Sequence, residues 1–417
     1  MKRGDKKLHI TFNEMGHGDC VLISLPNGKM VVIDCGTLRW DGNFWKPAKD
    51  PAVMRNNALR VALGDERFFL NDKGLDLLIL THPDKDHCSE LLSLFYSSAD
   101  WGTKNESKPA SKVKRAFYSY ELKEYGGYSV PGTLLDAKKA DEVYAVTIRD
   151  GVSTYARVKS HSLGVTTFTG APTNIVASAD NTAEEFKKSR VAATRDFVKV
   201  LDGTAEDGGV DCGVYLLAAN VQPYDNVNDD SSQDNRGSIV TMVVYGDKKF
   251  LFMGDGTFNT EYFLIQTYGD LIRDVELVHV GHHGSYRTSS SYAGRPASPP
   301  APAINFVGHV NPRYAVITAA YAGGTQLGLP RREVIQRWHG GARLLAKPDD
   351  ADDVMKKIAC YEKQTVQRQV GAKKRVKYDE LTQPVTFDAP KHLWCTGTHG
   401  AIDFDYEEKG GTNVDRV

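Results

Sequence analysis

An apolar stretch that ends in four crowded ionisable side chains constrains this chain more than any other feature of its sequence. Residues 75–80 (Leu-Asp-Leu-Leu-Ile-Leu) have the composition of a buried β-strand, and Thr81-His-Pro-Asp-Lys-Asp-His87 follows directly. Imidazoles and carboxylates this close together resist burial unless a cation or water neutralises them. The sequence therefore predicts a metal site where the strand ends, with these candidate ligands: His82, Asp84, Asp86 and His87.

Two later strand patterns also end in side chains that can bind metals. Gly254-Asp255 follows the apolar run 249–253, and His282 and His283 follow the run 275–280. Together with the first loop these residues suffice for two ions, with positions left open for water and substrate. Asp255 can bridge the ions at the separation of about 3.5–4 Å that in-line displacement requires.

Strand alternation distinguishes the two neighbouring histidines. If the strand continues past Val280, His282 lies on the same face as Val280 and His283 lies on the opposite face. This favours His282 as the metal ligand. It leaves His283 as a catalytic residue that orients a ligand or protonates a leaving group.

Regular strand patterns are confined to the first and last thirds of the chain. Strands that end in polar clusters are typical of a layered α/β architecture with its site along one sheet edge. We predict that residues 1–98 form the N-terminal half of this structure, residues 99–218 an insertion or covering region, and residues 219–417 the C-terminal half. Within the middle region, Thr182-Ala-Glu-Glu185 has the form of a capping box and predicts a helix over residues 186–201.

Composition limits the partners and the location of the protein. The 52 basic and 53 acidic residues leave a formal charge of −1, so the whole-chain charge attracts no polyanion. No apolar run approaches the roughly 18 residues that a membrane-spanning helix needs. The six cysteines form no C-x-x-C pair, which is typical of reduced thiols. We therefore expect a cytoplasmic protein with no membrane part.

Four segments together resemble the metallo-β-lactamase-fold hydrolases, and most closely the soluble hydrolase domain of ComEC-type competence proteins. In that domain the second histidine of the common H-x-H-x-D-H signature is an aspartate, as it is at Asp84. The segments that carry the resemblance are Met15-Gly-His-Gly-Asp-Cys20 with Val32-Ile-Asp-Cys-Gly36, Thr81 to His87, Leu251-Phe-Met-Gly-Asp255, and Val280-Gly-His-His-Gly-Ser285.

The resemblance implies a four-layer αββα sandwich, here with a long insertion, and a dinuclear metal site that hydrolyses phosphoesters, often in nucleic acids. Carried over by position, the implied metal ligands are His82, Asp84, Asp86, His87, Asp255 and one of His282 and His283. Asp34 becomes the buried aspartate of the opening hairpin. A further histidine of the wider superfamily has no counterpart in this chain. We expect Asn235 or Ser238 to line the site in its place, and Ser285 to lie on the substrate side.

The ligand set also bears on the metal and the mechanism. An aspartate at position 84 in place of an imidazole makes the site harder, which shifts its preference from Zn²⁺ towards Mn²⁺ without excluding Zn²⁺. The expected mechanism is in-line attack on phosphorus by a metal-activated hydroxide, with Asp86 and His283 as the catalytic residues. Loss of Asp86 or of His87 is then expected to abolish hydrolysis.

The favoured function is a metal-dependent phosphodiesterase or nuclease. Two basic stretches adjoin aromatic residues able to stack on bases: residues 104–115 before Phe117, Tyr118 and Tyr120, and residues 368–377 before Tyr378. DNA or RNA is accordingly a candidate partner. Two alternatives stay open, namely a metallohydrolase of a small ester, lactone or cyclic nucleotide, and a metal-stabilised protein that binds or regulates without catalysis.

Overall fold

Strands are the commonest regular structure in the part of the chain that the computed structural model describes. That part comprises residues 4–37, 74–91, 112–128, 130, 134, 139–150, 152–157, 198–206, 208–290, 304–319, 328–340, 356–370, 375–389, 392–399, 401–407 and 412–416. Its strands are β1 (Leu8–Phe12), β2 (Val21–Ser24), β3 (Met30–Ile33), β4 (Leu75–Leu80), β5 (Val113–Tyr118), β6 (Ala140–Arg149), β7 (Val152–Arg157), β8 (Val198–Asp202), β9 (Cys212–Ala218), β10 (Val240–Tyr245), β11 (Lys248–Phe252), β12 (Leu277–His279), β13 (Tyr314–Ile317), β14 (Lys356–Val370), β15 (Arg375–Ala389), β16 (Leu393–Cys395), β17 (Ile402–Tyr406) and β18 (Thr412–Arg416).

The strands form two large sheets and a two-stranded ribbon. The larger sheet has the order β18-β17-β1-β2-β3-β4-β5-β6-β7, and the smaller sheet has the order β16-β13-β12-β11-β10-β9-β8. Strands β3, β4, β5 and β6 run parallel to one another in the larger sheet, as do β11, β12, β13 and β16 in the smaller one. Strands β14 and β15 pair with each other as a long antiparallel ribbon.

Helices are short in the described residues. They are α1 (Lys85–Cys88), α2 (Gln233–Arg236), α3 (Phe258–Tyr268), α4 (Phe306–Val310), α5 (Arg332–His339) and α6 (Thr396–His399). Three 3₁₀ turns cover Leu122–Tyr128, Gly269–Ile272 and His282–Gly284. In the part of the chain that is described, no helix has the length and apolar character needed to cross a membrane.

The core lies between the two sheets and extends over their outer faces. Phe12 on β1 stacks on Phe252 of β11, with ring centroids 6.1 Å apart. Alternate residues of β4 point to opposite faces. Leu77 packs in the cluster between the sheets, and Leu78 packs in a second cluster on the outer face of the larger sheet. Helical residues complete this second cluster: Cys88, Leu91, Leu122 and Tyr125.

The larger sheet is therefore covered on both faces, α3 packs against β9 of the smaller sheet, and α5 packs against the β14–β15 ribbon. This explains why β4 reads as an almost continuous apolar run, since strands buried on both faces lose the usual alternation. The layered α/β sandwich predicted from the sequence is confirmed. All six cysteines are buried, and none forms a disulfide bond.

The middle third of the chain takes a larger part in the sheets than its weak pattern indicates. The described strands of residues 99–218 are β5, β6 and β7 of the larger sheet and β8 and β9 of the smaller one. Of the helix predicted over residues 186–201, residues 186–197 lie outside the described part. Residues 198–201 belong to strand β8, where they pair with β9.

Candidate metal centre

Four loops bring the predicted site residues to one edge of the two sheets. Asp34 follows β3 and residues 81–88 follow β4 in the larger sheet, while Asp255 follows β11 and the pair His282 and His283 follows β12 in the smaller sheet. In each sheet the two strands are parallel neighbours, so their carboxyl ends and the loops after them lie together. The order of the strands thus explains why residues more than two hundred positions apart meet.

One group of donor atoms lies near the surface, and we call it the outer position. His82 Nε2 lies 3.4 Å from Asp84 Oδ2 and 3.7 Å from Asp255 Oδ2. His282 Nε2 also lies 3.7 Å from Asp255 Oδ2. The Asp84 side chain is 46% exposed and that of His282 is 17% exposed, so solvent reaches this group.

A second group lies deeper, and we call it the inner position. His87 Nε2 lies 3.2 Å from Asp255 Oδ1 and 3.2 Å from His283 Nε2. His283 Nε2 lies 3.3 Å from Asp86 Oδ2 and 3.6 Å from Asp255 Oδ1. All four residues are buried.

These spacings fit divalent cations. Donors about 2.1 Å from a tetrahedral ion lie roughly 3.4 Å from one another, which is the range seen in both groups. His82 Nε2 and Asp255 Oδ1 are buried and make no hydrogen bond. Buried polar atoms of native proteins are nearly always hydrogen-bonded. A cation at each position would satisfy these two atoms.

Asp34 holds the metal loop, residues 81–88, through contacts with Thr81 and His87. Its Oδ1 accepts a hydrogen bond from the Thr81 backbone N–H at 2.7 Å, and its Oδ2 accepts one from the Thr81 hydroxyl at 2.6 Å. The same Oδ2 lies 2.8 Å from His87 Nδ1. A carboxylate on Nδ1 fixes the ring and directs the Nε2 lone pair towards a cation.

Other partners hold the remaining ligand candidates. The Ser238 hydroxyl accepts a hydrogen bond from the Asp255 backbone N–H at 3.1 Å and lies 3.2 Å from His82 Nδ1. His283 Nδ1 donates to the Thr318 carbonyl oxygen at 2.7 Å. These contacts orient His82, Asp255 and His283 in the way that outer partners orient metal ligands.

The two adjacent histidines do not follow strand alternation. Strand β12 ends at His279, and His282 and His283 both have φ of 48°, in the left-handed region that residues other than glycine seldom adopt. The turn therefore directs the two rings to different positions. Asn235 Nδ2 lies 2.7 Å from His282 Nε2. The buried Ser285 holds the turn by donating its N–H to the His282 carbonyl oxygen at 2.7 Å.

Burial and charge act in opposite directions on these groups. Burial raises the pKa of Asp255, but His87, His283 and His282 outweigh it and hold the pKa well below the usual range. Burial lowers the pKa of His283, but Asp255 and other nearby carboxylates outweigh it and raise the pKa to about 10. For His282 burial prevails and lowers the pKa to about 4. Without bound metal, the two neighbouring imidazoles therefore differ in charge at neutral pH.

Sequence reasoning missed three residues that the fold adds to this edge. His17 Nε2 lies 3.4 Å from Asp86 Oδ2. Asp19 Oδ2 lies 3.6 Å from His279 Nε2, and Asp19 Oδ1 lies 3.6 Å from His283 Nδ1. The signal available in the sequence was the run Gly16-His-Gly-Asp19, because glycines on both sides of a histidine indicate a turn that approaches other backbone closely.

Two glycines allow that close approach. A methyl group added at Gly36 would lie 2.3 Å from the Asp86 carbonyl carbon and 2.4 Å from the His87 nitrogen. One added at Gly18 would lie 2.9 Å from the Asp86 carbonyl oxygen. The loops after β1 and β3 therefore pack directly on the backbone of the metal loop.

No family model matches the chain, and no curated protein sequence matches it. Solved structures similar to it include the short form of human tRNase Z (10% identity, TM-score 0.27, covering 65% of this chain and 77% of that chain). They also include the metallo-β-lactamase-fold protein YhfI from Bacillus subtilis (10% identity, TM-score 0.25, covering 65% and 70%). A third is CmlA, a diiron β-hydroxylase from Streptomyces venezuelae (12% identity, TM-score 0.28, covering 74% and 44%). These identities and TM-scores are too low to assign the chain to the family of any of these proteins.

Proposed function

We propose that the chain is a hydrolase that holds two divalent cations and cleaves phosphodiesters. The observation that carries this proposal is the orientation of Asp255. Its Oδ1 lies 3.2 Å from His87 Nε2, whereas its Oδ2 lies 3.7 Å from His82 Nε2. One carboxylate directed at two sets of imidazoles is what a bridge between two ions requires.

The proposal assigns the donors to two ions. The outer ion would be held by His82, Asp84 and Asp255, with His282 beside them. The inner ion would be held by Asp255 and the following residues: Asp86, His87 and His283. Strand alternation favoured His282 as a ligand and His283 as a catalytic group. The distances support an inner ligand role for His283 and a place for His282 at the opening.

When bound, the two cations supply Lewis acidity that activates water and stabilises the charge that develops in phosphoryl transfer. The chain's own side chains position the reaction. Asp84 and His282 are the partly exposed members of the site, so a substrate would arrive on their side. Because the pKa of His282 is lowered to about 4, its ring is neutral at pH 7 and can accept a hydrogen bond or offer a lone pair.

Mn²⁺ or Zn²⁺ is proposed for both positions. The imidazoles and carboxylates of the two positions suit either ion, and the Asp84 carboxylate makes the outer position the harder of the two. Elemental analysis of the purified protein, compared with activity after reloading with each metal, would decide between them.

The contacts of the two basic stretches bear on whether the substrate is a nucleic acid or a small phosphodiester. Phe117 and Tyr118 are buried and cannot stack on a base. Lys114 pairs with Asp76 at 2.7 Å. In the second stretch, Arg368 and Lys377 are paired residues of the β14–β15 ribbon. A nucleic-acid substrate would therefore engage the ribbon, and a small phosphodiester, the second candidate, would need neither stretch.

A substrate panel tests the function. Metal-loaded protein would be assayed with bis(nitrophenyl) phosphate, single-stranded and duplex DNA, RNA, cyclic nucleotides and a lactone. We expect turnover of the phosphodiesters and its loss in Asp86→Ala and His87→Ala, with an unchanged near-ultraviolet circular dichroism spectrum. His309→Ala is the control, because the His309 ring contacts the Gly269 carbonyl oxygen outside the site.

The outcomes separate the alternatives. Nucleic-acid turnover that falls steeply with added salt would support a nuclease, and salt-insensitive turnover of the small esters alone would support the second candidate. Turnover of the lactone alone would contradict phosphodiester cleavage. Metal-loaded protein that turns over nothing would support the non-catalytic alternative, and near-normal activity of either site variant would refute the proposed site.

A further inference from the structure

His17 is a buried histidine to which the proposed reaction gives no role. It lies in the turn between β1 and β2, 2% exposed, with its Nε2 3.4 Å from Asp86 Oδ2. Its ring centroid is 4.4 Å from that of His283. Donor atoms of His17, Asp86 and His283 all lie within 4.8 Å of one another, as close as donors that share one cation.

The backbone holds His17 against the metal loop. The Asp19 N–H donates to the Asp86 carbonyl oxygen at 2.9 Å, and the Gly36 N–H donates to the Asp19 carbonyl oxygen at 3.0 Å. Gly18 has no room for a side chain at this contact. The backbone next to His17 is therefore held against the metal loop and against the loop after β3.

His17 differs from another buried histidine of the same sheet in the contacts of its ring nitrogens. A core histidine usually satisfies both ring nitrogens with hydrogen bonds. His17 Nδ1 is buried and makes none. By contrast, His9 on β1 is equally buried and has both ring nitrogens paired, with Asp405 and Asp5. The Nε2 of His17 is directed towards an anionic oxygen that the proposed function already assigns to the inner ion.

We propose that His17 is a further protein ligand of the inner ion, an inference that rests on the two-cation site proposed above. Asp255, Asp86, His87, His283 and His17 then give the inner ion five protein donors in a buried setting. Sites whose positions are filled by protein are structural, whereas catalytic sites keep an open position. The inner ion is then the tightly held one, and the outer ion, beside the half-exposed Asp84, is the one that exchanges and meets substrate.

Metal retention tests this assignment without reference to activity. His17→Gln, His9→Gln and the wild type would be loaded with Mn²⁺ and dialysed against a weak chelator, and the remaining metal would be measured by mass spectrometry. Wild type and His9→Gln are expected to retain about one ion per chain. His17→Gln is expected to bind the retained ion at least about 10-fold more weakly. Equal retention by all three proteins would overturn the proposal.

A second measurement needs no substitution and so does not depend on whether a variant folds. Wild-type protein with isotopically labelled histidine nitrogen would be loaded with a spin-active cadmium isotope and examined by nuclear magnetic resonance. The His17 Nε2 resonance is expected to show scalar coupling to cadmium. A spectrum in which the His87 and His283 rings are coupled and the His17 ring is not would also overturn the proposal.

These outcomes are separable from those of the proposed function. Protein that retains an ion through His17 and hydrolyses no phosphodiester would refute the function and leave the ligand assignment standing. Active protein whose His17→Gln variant keeps its metal would refute the ligand assignment and leave the proposed function standing.

Discussion

Asp34 is a residue whose effect on the site is exerted through another side chain. It touches Thr81 and the far nitrogen of His87, so it fixes the ring and makes the opposite nitrogen a better donor. Removing its charge should weaken the inner position without altering any proposed ligand. The residue is therefore a positioning residue of the centre.

We predict that Asp34→Asn lowers metal affinity by about 10- to 100-fold, because losing an outer partner of a metal ligand has that effect. Isothermal titration with Zn²⁺ or Mn²⁺ would measure it. Asp76→Asn is a matched control, since Asp76 is also buried and accepts a backbone hydrogen bond, from Met30 at 2.8 Å, away from the centre. Equal affinities of the two variants would contradict the prediction.

Gly36 shows how little space separates the loops of the site. Gly36→Ala should destabilise the protein by about 1–3 kcal/mol, the usual range for overpacking, because the added methyl group meets the backbone of Asp86 and His87. It should also weaken metal binding, since both residues are ligand candidates. Urea unfolding and metal titration would measure the two effects.

Gly340→Ala provides the comparison for this substitution. A methyl group there would meet its nearest neighbour, the Arg337 carbonyl oxygen, at 3.6 Å, which is an ordinary contact. Its stability and metal affinity should match those of the wild type. A Gly36→Ala protein that behaves like Gly340→Ala would show that the loops can move apart at little cost.

At the scale of elements, helix α3 organises the loop beyond the histidine pair. Glu261, in its first turn, is fully buried and accepts hydrogen bonds from the Ser290 N–H at 3.0 Å, the Thr288 hydroxyl at 3.0 Å and the Ser289 N–H. Burial raises the pKa of Glu261 to about 7, against the opposing effect of these hydrogen bonds. One carboxyl group thus ties residues 288–290 to the helix.

This shift predicts a pH dependence of stability. The folded protein binds more protons than the unfolded chain between the ordinary pKa of 4.5 and about 7, so unfolding free energy should fall as the pH rises through that window. The slope from this group is at most about 1.4 kcal/mol per pH unit. Urea unfolding at several pH values should show a shallower slope in Glu261→Gln than in the wild type.

Glu333→Gln on helix α5 serves as the control for this comparison, because Glu333 is only half-buried. The slope of Glu261→Gln is expected to differ from the slope of this variant. If the Glu261→Gln and wild-type curves run parallel between pH 4.5 and pH 7, the titration of Glu261 does not contribute.

Whether a strand could be predicted from the sequence depended on whether charged residues interrupt its apolar residues. Strand β4 was predicted to the residue because both of its faces are apolar. Strand β5 was obscured by Lys114 and Arg115, whose charges are satisfied by Asp76 and Glu142 on neighbouring strands. The sequence of one strand does not show which charged residues lie beside it on the neighbouring strands.

The same limit applies to the site. The loop from His82 to His87 concentrates its ligand candidates within six positions and could be recognised alone. His17 and Asp19 come from one segment and His279 from another, and only the folded structure shows that they lie together at the site. Strand alternation also failed for the histidine pair, because β12 ends before it and a left-handed turn sets the rings.

At the scale of the whole molecule, the centre concentrates buried carboxylates that a cation would neutralise. Adding Mn²⁺ or Zn²⁺ at about 100 times its dissociation constant should stabilise the fold by roughly 2.7 kcal/mol. A chelator should therefore lower the melting temperature by a few degrees, and scanning fluorimetry would record the shift. Asp255→Asn should lose most of this response. An identical melting temperature with and without chelator would argue against metal binding by the folded protein.

Each proposed cation position takes donors from both sheets, with Asp255 and the histidine pair from the smaller sheet and the loop after β4 from the larger one. A bound ion would thus cross-link the two halves of the sandwich. Separation of the sheets, the event that opens the core between them, would have to await release of the ion. The lifetime of the folded protein, and its resistance to proteases, would then be governed by the rate at which metal dissociates and by the supply of metal around it.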